Sequence, residues 1–139
     1  MTYDIACVVP CRNEQDNIGE LVSRVDAVLA DMSVAMVLVD DGSSDETWSV
    51  MHDVALSRKG VVCVRLATCG FGQEQAIRCG ISHALQLMPR LVAVMDADMQ
   101  DPPEMLPEMI QPVITGVCSQ VVAVRKGRGL TPEMEAAMR

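Results

Sequence analysis

Short apolar runs alternate along this chain with stretches in which apolar residues recur every three or four positions. Runs of this length are typical of buried strands, and the recurring spacing is typical of one face of a helix. Such alternation predicts an α/β fold with three layers, in which helices cover both faces of a mainly parallel sheet. The predicted strands are Ile5–Val9, Met36–Val39, Val61–Ala67, Leu91–Met95 and Val121–Val124. The predicted helices cover about Gln15–Asp31, Trp48–Ala55, Ala76–Met88 and, starting at Pro102 or Pro103, the stretch to Val113.

Polar loops follow four of the predicted strands. In open parallel sheets, ligands bind beyond the carboxyl ends of the strands, so these loops should meet at that edge. They are Pro10–Glu14, Asp40–Glu46, Gly70–Glu74 and Asp96–Asp101. In the second loop, serine followed by acidic residues predicts the start of a helix, because hydroxyls and carboxylates satisfy the free backbone amides there.

Two carboxylates, Asp96 and Asp98, directly follow the apolar run that predicts the fourth strand. Side chains alternate across a strand, so both should project from the same side. Carboxylates held this close repel unless a cation lies between them, and the simplest cation is Mg²⁺ or Mn²⁺ shared with a substrate phosphate. A solvated acidic turn before Pro102 is the alternative. The other polar loops at the same edge favour the metal site.

Composition narrows the function classes further. The chain has 139 residues, enough for one domain, and half of them are apolar, which is typical of a globular protein. Its net charge of −8 argues against a nucleic-acid partner, whereas a phosphate ligand is compatible when a metal supplies positive charge. No apolar run approaches the ~20 residues of a membrane span, and the N-terminus lacks the pattern of a signal peptide.

The six cysteines favour a reduced, cytoplasmic protein over a disulfide scaffold. None forms a C-x-x-C pair, and several lie inside apolar runs, where cysteine behaves as a small buried hydrophobe. Cys11 and Cys69 fall near predicted loops, and a reactive thiol is the less expected alternative at those two positions.

Three other α/β sites fit the order of the motifs less well. A nicotinamide-binding domain would carry its glycine fingerprint after the first strand, where this chain has no glycine. A response-regulator receiver would place its acidic pair after the first strand and its phospho-acceptor after a middle one. A haloacid-dehalogenase phosphatase would open with its D-x-D motif, which here comes late, at Asp96.

Four motifs, taken in order, resemble those of family-two glycosyltransferases with the GT-A fold. The resemblance is strongest to the polyprenyl-phosphate sugar transferases related to dolichol-phosphate mannosyltransferase, and it runs from Ile5 to about Arg125. The motifs are V-V-P-C-R-N-E at Val8–Glu14, L-V-D-D-G-S-S-D-E-T at Leu38–Thr47, G-F-G-Q-E-Q-A at Gly70–Ala76 and M-D-A-D-M-Q-D-P-P at Met95–Pro103.

The resemblance implies a role for residues in each motif. Asp96 and Asp98 would be the catalytic carboxylates, and together with Gln100 they would hold the metal. Asp41, with its neighbour Asp40, would read the base, since a carboxylate accepts the imide N–H of uracil or guanine. The implied nucleotide-sugar site comprises Pro10, Arg12, Glu14, Asp40, Asp41, Gly72, Gln73, Asp96, Ala97, Asp98 and Arg125.

The implied activity is metal-dependent transfer of a sugar from a UDP- or GDP-linked donor to a polyprenyl phosphate, such as undecaprenyl or dolichyl phosphate. The metal would be Mg²⁺ or Mn²⁺. The membrane would be contacted only through the acceptor lipid, at its cytoplasmic face. Catalytic domains of the family continue beyond the length of this chain, so we expect a donor-binding domain at 1–125 and a basic loop and tail at 126–139.

Two alternatives stay open from the sequence. One is a catalytically incomplete nucleotide-binding fragment, and a more remote one is a receiver-like domain that binds Mg²⁺. An uncovered sheet edge in a shortened domain also favours association, so a homo-oligomer is expected.

Overall fold

A computed structural model describes residues 2–67 and 72–125 of the chain. The chain divides into two compact units, of which the first ends at Pro107 and the second begins at Glu108. Strands and helices alternate as the sequence pattern predicts. In order, the elements are β1 (Ile5–Cys11), α1 (Ile18–Val28), β2 (Val34–Asp40), α2 (Thr47–Ser57), β3 (Val61–Arg65), α3 (Gln73–Gln86), β4 (Leu91–Val94), a 3₁₀ turn (Pro103–Met105) and α4 (Leu106–Ile114).

A four-stranded parallel sheet lies at the centre of the first unit, with the strands in the order β3-β2-β1-β4. The carboxyl ends of the first three strands lie at one level, because Asp40 pairs with Cys11 on one side and with Arg65 on the other. β4 pairs with β1, and the loop after β4 begins where the Met95 N–H donates to the Val8 carbonyl at 3.1 Å. The predicted α/β fold with a parallel sheet is confirmed.

The direction of strand addition reverses at β1. The connections through α1 and α2 step from β1 to β2 to β3, whereas α3 leads back across the sheet to β4 on the other side of β1. In doubly wound sheets, a ligand-binding crevice forms at such a reversal, beyond the carboxyl ends of the strands. The topology therefore places the loops after β1 and β4 beside this position.

Helices cover both faces of the sheet. Successive residues of a strand point to opposite faces, so the burial of almost all residues of β1 and β2 requires cover on both sides. On one face, α3 packs against β1, β2 and β4. A second helix, α2, packs against β2 and β3. The strand residues clustered with Ala76 and Ala84 of α3 are Ala6, Val8, Ala35, Val37 and Val39. The alternate residues, equally buried, are Ile5, Cys7, Val9, Met36 and Leu38.

The cysteines of β1 are core residues. Cys7 and Cys11 are buried, and desolvation raises the pKa of each thiol from 9.0 to about 12. Because the thiolate is the reactive form of cysteine, both side chains are inert at neutral pH. The expected hydrophobic role is confirmed at these positions, and the alternative of a reactive Cys11 is wrong. Cys69 lies outside the described residues.

Several element boundaries differ from the predicted ones. α1 begins at Ile18 rather than near Gln15, because the preceding residues form a loop that is hydrogen-bonded to the loop after β2. β4 ends at Val94, so Asp96 and Asp98 lie in the turn beyond the strand and do not alternate along it.

The prediction of a fifth strand at Val121–Val124 is wrong. Residues 121–125 have no regular secondary structure, and Val122 is 66% exposed. An apolar run forms a stable strand only when neighbouring strands pair with it, and no strand in the described ranges pairs with this one. Within 2–67 and 72–125, no helix combines the length and apolar character needed to cross a membrane.

The close approach of α3 to the sheet depends on Gly80. A Cβ atom at this position would lie 2.3 Å from Val8 Cγ1 and 3.0 Å from Val39 Cγ2. We expect Gly80→Ala to lower the free energy of unfolding by about 1–3 kcal/mol, the usual cost of overpacking a core. Urea unfolding followed by circular dichroism measures this change.

Gly19→Ala in α1 is the matched control for that substitution. A Cβ at Gly19 meets no atom within 4 Å, so alanine should raise the unfolding free energy by up to about 1 kcal/mol through helix propensity alone. Equal effects of the two substitutions would contradict the close contact between α3 and the sheet.

The buried thiols predict a loss of stability in alkali. Burial raises the pKa of both thiols in the folded state. Their contribution to the free energy of unfolding is therefore fully present below pH 9 and is lost as the pH rises towards 12. Each thiol should add a slope of about 1.4 kcal/mol per pH unit in this interval. Unfolding free energies measured from about pH 8 to about pH 11 should decline less steeply for Cys7→Ala than for wild type. Parallel declines would rule out this source of alkaline sensitivity.

Candidate functional site

The loops after β1 and β2 are hydrogen-bonded to each other. We refer to residues 12–17 as the β1 loop and to residues 41–46 as the β2 loop. The Asn13 N–H donates to Ser43 Oγ at 2.9 Å, and Asn13 Oδ1 accepts the Ser44 N–H at 2.8 Å. Asn13 has φ of 54°, in the left-handed region that asparagine tolerates better than most residues. These bonds fix the β1 loop against the β2 loop at the carboxyl edge of the sheet.

Thr47, the first residue of α2, makes a second connection between the loops. Its hydroxyl, fully buried, accepts the Glu14 N–H at 2.8 Å and donates to Asp45 Oδ1 at 2.5 Å. The same Asp45 oxygen accepts the Thr47 N–H at 2.9 Å, so the carboxylate satisfies a free amide at the start of α2. The hydrogen bond from Thr47 also lowers the pKa of Asp45.

Asp40 is fully buried at the end of β2 and has two polar neighbours. Its Oδ1 accepts the Ser43 N–H at 3.0 Å, and its Oδ2 forms an ion pair with Arg65 Nε at 3.3 Å. This ion pair is not aligned as a hydrogen bond, since Oδ2 has no hydrogen-bond donor among the described residues. The Arg65 guanidinium lies 5.4 Å from the centre of the Trp48 ring, in cation–π contact.

Asp41 differs from Asp40 in lacking a partner for a buried oxygen. Its side chain is 4% exposed, its backbone N–H donates to the Cys11 carbonyl at 2.9 Å, and no described residue donates to its Oδ1. A buried carboxylate oxygen without a donor is unfavourable, because the group has lost water and gained nothing in exchange. A ligand that presents an N–H at this point would satisfy it.

The remaining predicted residues of the β1 loop have different surroundings. Pro10 is half-buried within β1, and Arg12 is exposed. Glu14 is half-buried, and its Oε2 accepts Asn17 Nδ2 at 2.7 Å, next to the start of α1. The structure therefore brings Pro10, Arg12 and Glu14 to the same sheet edge as Asp40 and Asp41.

The loop after β4, residues 95–102, carries the second acidic group. Asp96 is half-buried and its Oδ1 accepts Gln73 Nε2 at 2.6 Å, which joins this loop to the start of α3. Asp98 is exposed, and its Oδ1 accepts the Gln100 N–H at 3.0 Å. Ala97 between them is buried. Two pairs of predicted site residues are thus hydrogen-bonded, Gln73 with Asp96 and Gln100 with Asp98.

Gly72 and Arg125 complete the set of predicted residues. Gly72 precedes α3 with φ of 85°, and a Cβ there would meet no described atom within 4 Å. Arg125 lies in the second compact unit, in a stretch without regular secondary structure. The glycine and aromatic residues at 70 and 71 lie outside the described residues.

The donor chemistry of the β4 loop fits a hard divalent cation that is also bound by a ligand. Carboxylate and amide oxygens are the protein ligands that Mg²⁺ and Mn²⁺ prefer, and the loop supplies them at Asp96, Asp98 and Gln100. Among residues 2–67 and 72–125, no three histidine, cysteine, aspartate or glutamate side chains cluster closely enough to hold a metal by themselves. Asp96, Asp98 and Gln100 would therefore hold a metal only together with further ligands.

Sequence reasoning missed Arg65 and Thr47. Arg65 ends an apolar run, and a charged residue at the carboxyl end of a predicted strand is a weak signal for a site contact. Thr47 follows the acidic residues that predict the start of α2, but its bond to Glu14 joins segments 33 residues apart and has no local pattern.

The chain is similar to curated sugar transferases over most of its length. The family model described as "Glycosyl transferase family 2" matches residues 6–135. The undecaprenyl-phosphate 4-deoxy-4-formamido-L-arabinose transferase of Enterobacter sp. (strain 638) is 36% identical over 110 residues, which cover 78% of this chain and 33% of that protein. The dolichol-phosphate mannosyltransferase of Pyrococcus furiosus is 36% identical over 112 residues, covering 81% and 30%. The chain spans about a third of the length of these relatives.

Solved structures of other proteins share the fold. TarS 1-349 of S. aureus superposes with a TM-score of 0.66 at 20% identity, covering 94% of this chain and 39% of that one. The mannosyltransferase PcManGT from Pyrobaculum calidifontis, solved in complex with GDP-Man and Mn²⁺, gives a TM-score of 0.63 at 21% identity, covering 81% and 33%. The GT-A fold expected from the motifs is confirmed.

The strand order excludes one alternative, and the family match gives the assignment. A receiver-like sheet has the order 2-1-3-4-5, whereas here β1 lies between β2 and β4, so that alternative is wrong. The family match extends over nearly the whole chain, including the β1, β2 and β4 loops. This chain belongs to glycosyl transferase family 2.

Proposed function

We propose that this chain binds the nucleotide-sugar donor of a metal-dependent glycosyltransferase that transfers a sugar from a UDP- or GDP-linked donor to a polyprenyl phosphate. The observation that carries the proposal is the buried Oδ1 of Asp41, which has no donor among the described residues. It lies at the carboxyl edge of the sheet, where the loops from β1 and β2 are locked together. The donor-binding region would cover 1–125, with 126–139 as a basic loop and tail.

Asp41 would accept the imide N–H of the base. Uracil and guanine both present such a donor, and an ionised carboxylate accepts it with a charge-assisted hydrogen bond. Asp40 would act differently, since its oxygens already face the Ser43 amide and Arg65. We assign it the role of holding the β2 loop in shape around the base. Pro10, Arg12 and Glu14 would border the base and ribose from the β1 loop.

The β4 loop would bind the diphosphate and its metal. Asp96, Asp98 and Gln100 would hold Mg²⁺ or Mn²⁺, with Asp96 and Asp98 as the catalytic carboxylates. When bound, the metal supplies positive charge that stabilises the leaving diphosphate. Gln73 would orient Asp96 by the hydrogen bond to its Oδ1, which leaves the other carboxylate oxygen for the ligand. Gly72 and Ala97 would contribute to the sugar and phosphate side of the site.

The relatives support the choice of acceptor class. Two of them are named as an undecaprenyl-phosphate sugar transferase and a dolichol-phosphate mannosyltransferase. A polyprenyl phosphate is already nucleophilic, so transfer to it needs no strong general base. The lipid would bring the protein to the cytoplasmic face of a membrane, and no nucleic-acid partner is proposed. Association of copies through β4 is also expected, since Val92 and Val94 are exposed on this strand.

Donor binding without transfer is the second candidate. It is favoured by the fact that the chain spans only about a third of the length of the curated relatives. Transfer of labelled sugar to a short polyprenyl phosphate separates the two candidates, because misalignment of the reactants by about an ångström costs on the order of a hundredfold in rate.

Asp41→Asn tests base recognition. The amide places a donor or a neutral oxygen where the carboxylate stood, so affinity for UDP or GDP with Mn²⁺ should fall about 10- to 100-fold, the usual effect of losing a charged hydrogen bond. Stability should be unchanged or higher, because a buried charge without a donor is removed. Isothermal titration calorimetry and thermal melting measure the two effects.

Asp53→Asn is the control for this substitution, since Asp53 is an exposed acid on α2. It should leave both nucleotide affinity and melting temperature near the wild-type values. If Asp41→Asn binds nucleotide as tightly as wild type, Asp41 does not read the base.

Asp98→Ala tests metal dependence. With UDP or GDP present, titration of Mn²⁺ into wild-type protein should give saturable binding, and the substitution should abolish it, because an exposed carboxylate ligand is lost. Asp98 is exposed and lies outside the core, so the melting temperature should stay near the wild-type value. Electron paramagnetic resonance of free Mn²⁺ follows the titration. Identical curves for mutant and wild type would remove Asp98 from the metal site.

A further inference from the structure

Arg24 on α1 contacts the segment after β4 at two separate points. Its Nε and Nη2 donate to Glu104 Oε1 and Oε2 at 2.9 and 2.6 Å, so the guanidinium and carboxylate form a two-bond pair. Its Nη1 lies 3.2 Å from Met99 Sδ and 3.5 Å from Glu20 Oε1. Arg24 and Glu104 are 80 residues apart in sequence. One side chain therefore joins α1 to both ends of the stretch from Met99 to Glu104.

That stretch has little regular structure of its own. The β4 loop leaves the sheet after the bond from the Met95 N–H to the Val8 carbonyl, and the next helical bond is the one from the Met105 N–H to the Pro102 carbonyl. Met99 has φ of 57°, an unfavourable backbone conformation for a residue with a long side chain. Such a conformation persists only where surrounding contacts impose it. The contact of Met99 Sδ with Arg24 is one of them.

We infer that Arg24 and Glu104 are a positioning pair, which holds the β4 loop in the conformation that presents Asp96 and Asp98 to the metal and diphosphate. The part of this inference that concerns the ligand rests on the proposed function. The part that concerns the conformation of the β4 loop does not. Neither residue is placed within the donor site itself. Two parallel hydrogen bonds fix the orientation as well as the distance of the groups they join, so the pair restrains the loop where the sheet no longer does.

The pair is too exposed to be a large source of global stability. The side chains of Arg24 and Glu104 are 31% and 50% exposed, and ion pairs at such positions contribute little to the unfolding free energy. The hydrogen bond from Arg24 lowers the pKa of Glu104, so the carboxylate stays ionised at neutral pH. The effect of breaking the pair should therefore appear in the loop and its ligand, not in the melting of the fold.

A second ion pair on the same helix provides the control. Arg58, at the end of α2, donates to both oxygens of Asp26 on α1 and to the Val34 carbonyl at 3.3 Å. Val34 begins β2, so this pair lies at the opposite edge of the sheet from the site. Arg58→Gln removes another arginine–carboxylate ion pair of α1 and leaves the β4 loop untouched.

The first measurement is hydrogen exchange, which requires no ligand. In Arg24→Gln and Glu104→Gln, amides of residues 95–105 should exchange at least about tenfold faster than in wild type, since the restraint on the loop is lost. The melting temperature should fall no further than in Arg58→Gln, whose β4 loop should exchange at the wild-type rate. Unchanged exchange in both loop variants would overturn the inference.

The second measurement is the affinity for UDP or GDP in the presence of Mn²⁺. Arg24→Gln and Glu104→Gln should each bind about tenfold more weakly, the lower end of the range for residues that support metal ligands. The double variant should bind no more weakly than either single one, because both substitutions remove the same pair. Arg58→Gln should bind within about twofold of wild type on the same grounds.

The outcomes separate this inference from the proposed function. Wild-type protein that binds the nucleotides with the affinity of Arg24→Gln would overturn the positioning role while leaving donor binding intact. Wild-type protein that binds neither nucleotide would overturn the proposed function and the ligand half of the inference, and hydrogen exchange would still decide whether the pair orders the loop. Additive losses in the double variant would show that Arg24 and Glu104 act separately, against the inference.

Discussion

Parallel pairing of β1 with β2 on one side and with β4 on the other determines where every acidic residue of the site lies. The register that sets Cys11 beside Asp40 puts the first two loops at one level, and the bond from Met95 to Val8 starts the third loop beside the same central strand. Burial of apolar side chains on both faces of β1 stabilises this arrangement. The position of the site therefore depends on this core, and three of the site residues, Asp40, Asp41 and Ala97, are themselves buried.

The acidic residues at this edge have been given unequal surroundings. Asp40 has an amide and a guanidinium, Asp96 has the amide of Gln73, and Asp41 is buried with one oxygen lacking any donor in the described part of the chain. The chain has a net charge of −8, and Asp41 Oδ1 lacks a hydrogen-bond donor among the described residues. A ligand that brings an N–H to Asp41 and a cation to Asp98 would satisfy the buried oxygen and offset the negative charge. A nucleotide diphosphate with its metal has this combination, which is why we prefer it to other phosphate ligands.

Much of the fold could be predicted from local sequence patterns. Apolar runs and helical spacing predicted β1 to β4 and α1 to α3 because each is set by neighbours in sequence. The pair of Arg24 with Glu104 could not be predicted, since it depends on how an irregular loop folds back on α1. The different environments of Asp40 and Asp41 could not be predicted either, because adjacent residues with the same side chain give no local sequence signal that distinguishes them. Val121–Val124 has the composition of a strand but no partner strand among the described residues.

A crystal structure of the chain with UDP or GDP and Mn²⁺ tests the central claim most directly. The account predicts the imide nitrogen of the base within hydrogen-bonding distance of a carboxylate oxygen of Asp41, at roughly 2.7–3.1 Å. It also predicts the diphosphate and metal at the β4 loop beside Asp98. A base bound elsewhere, with Asp41 Oδ1 still lacking a donor, would contradict the account.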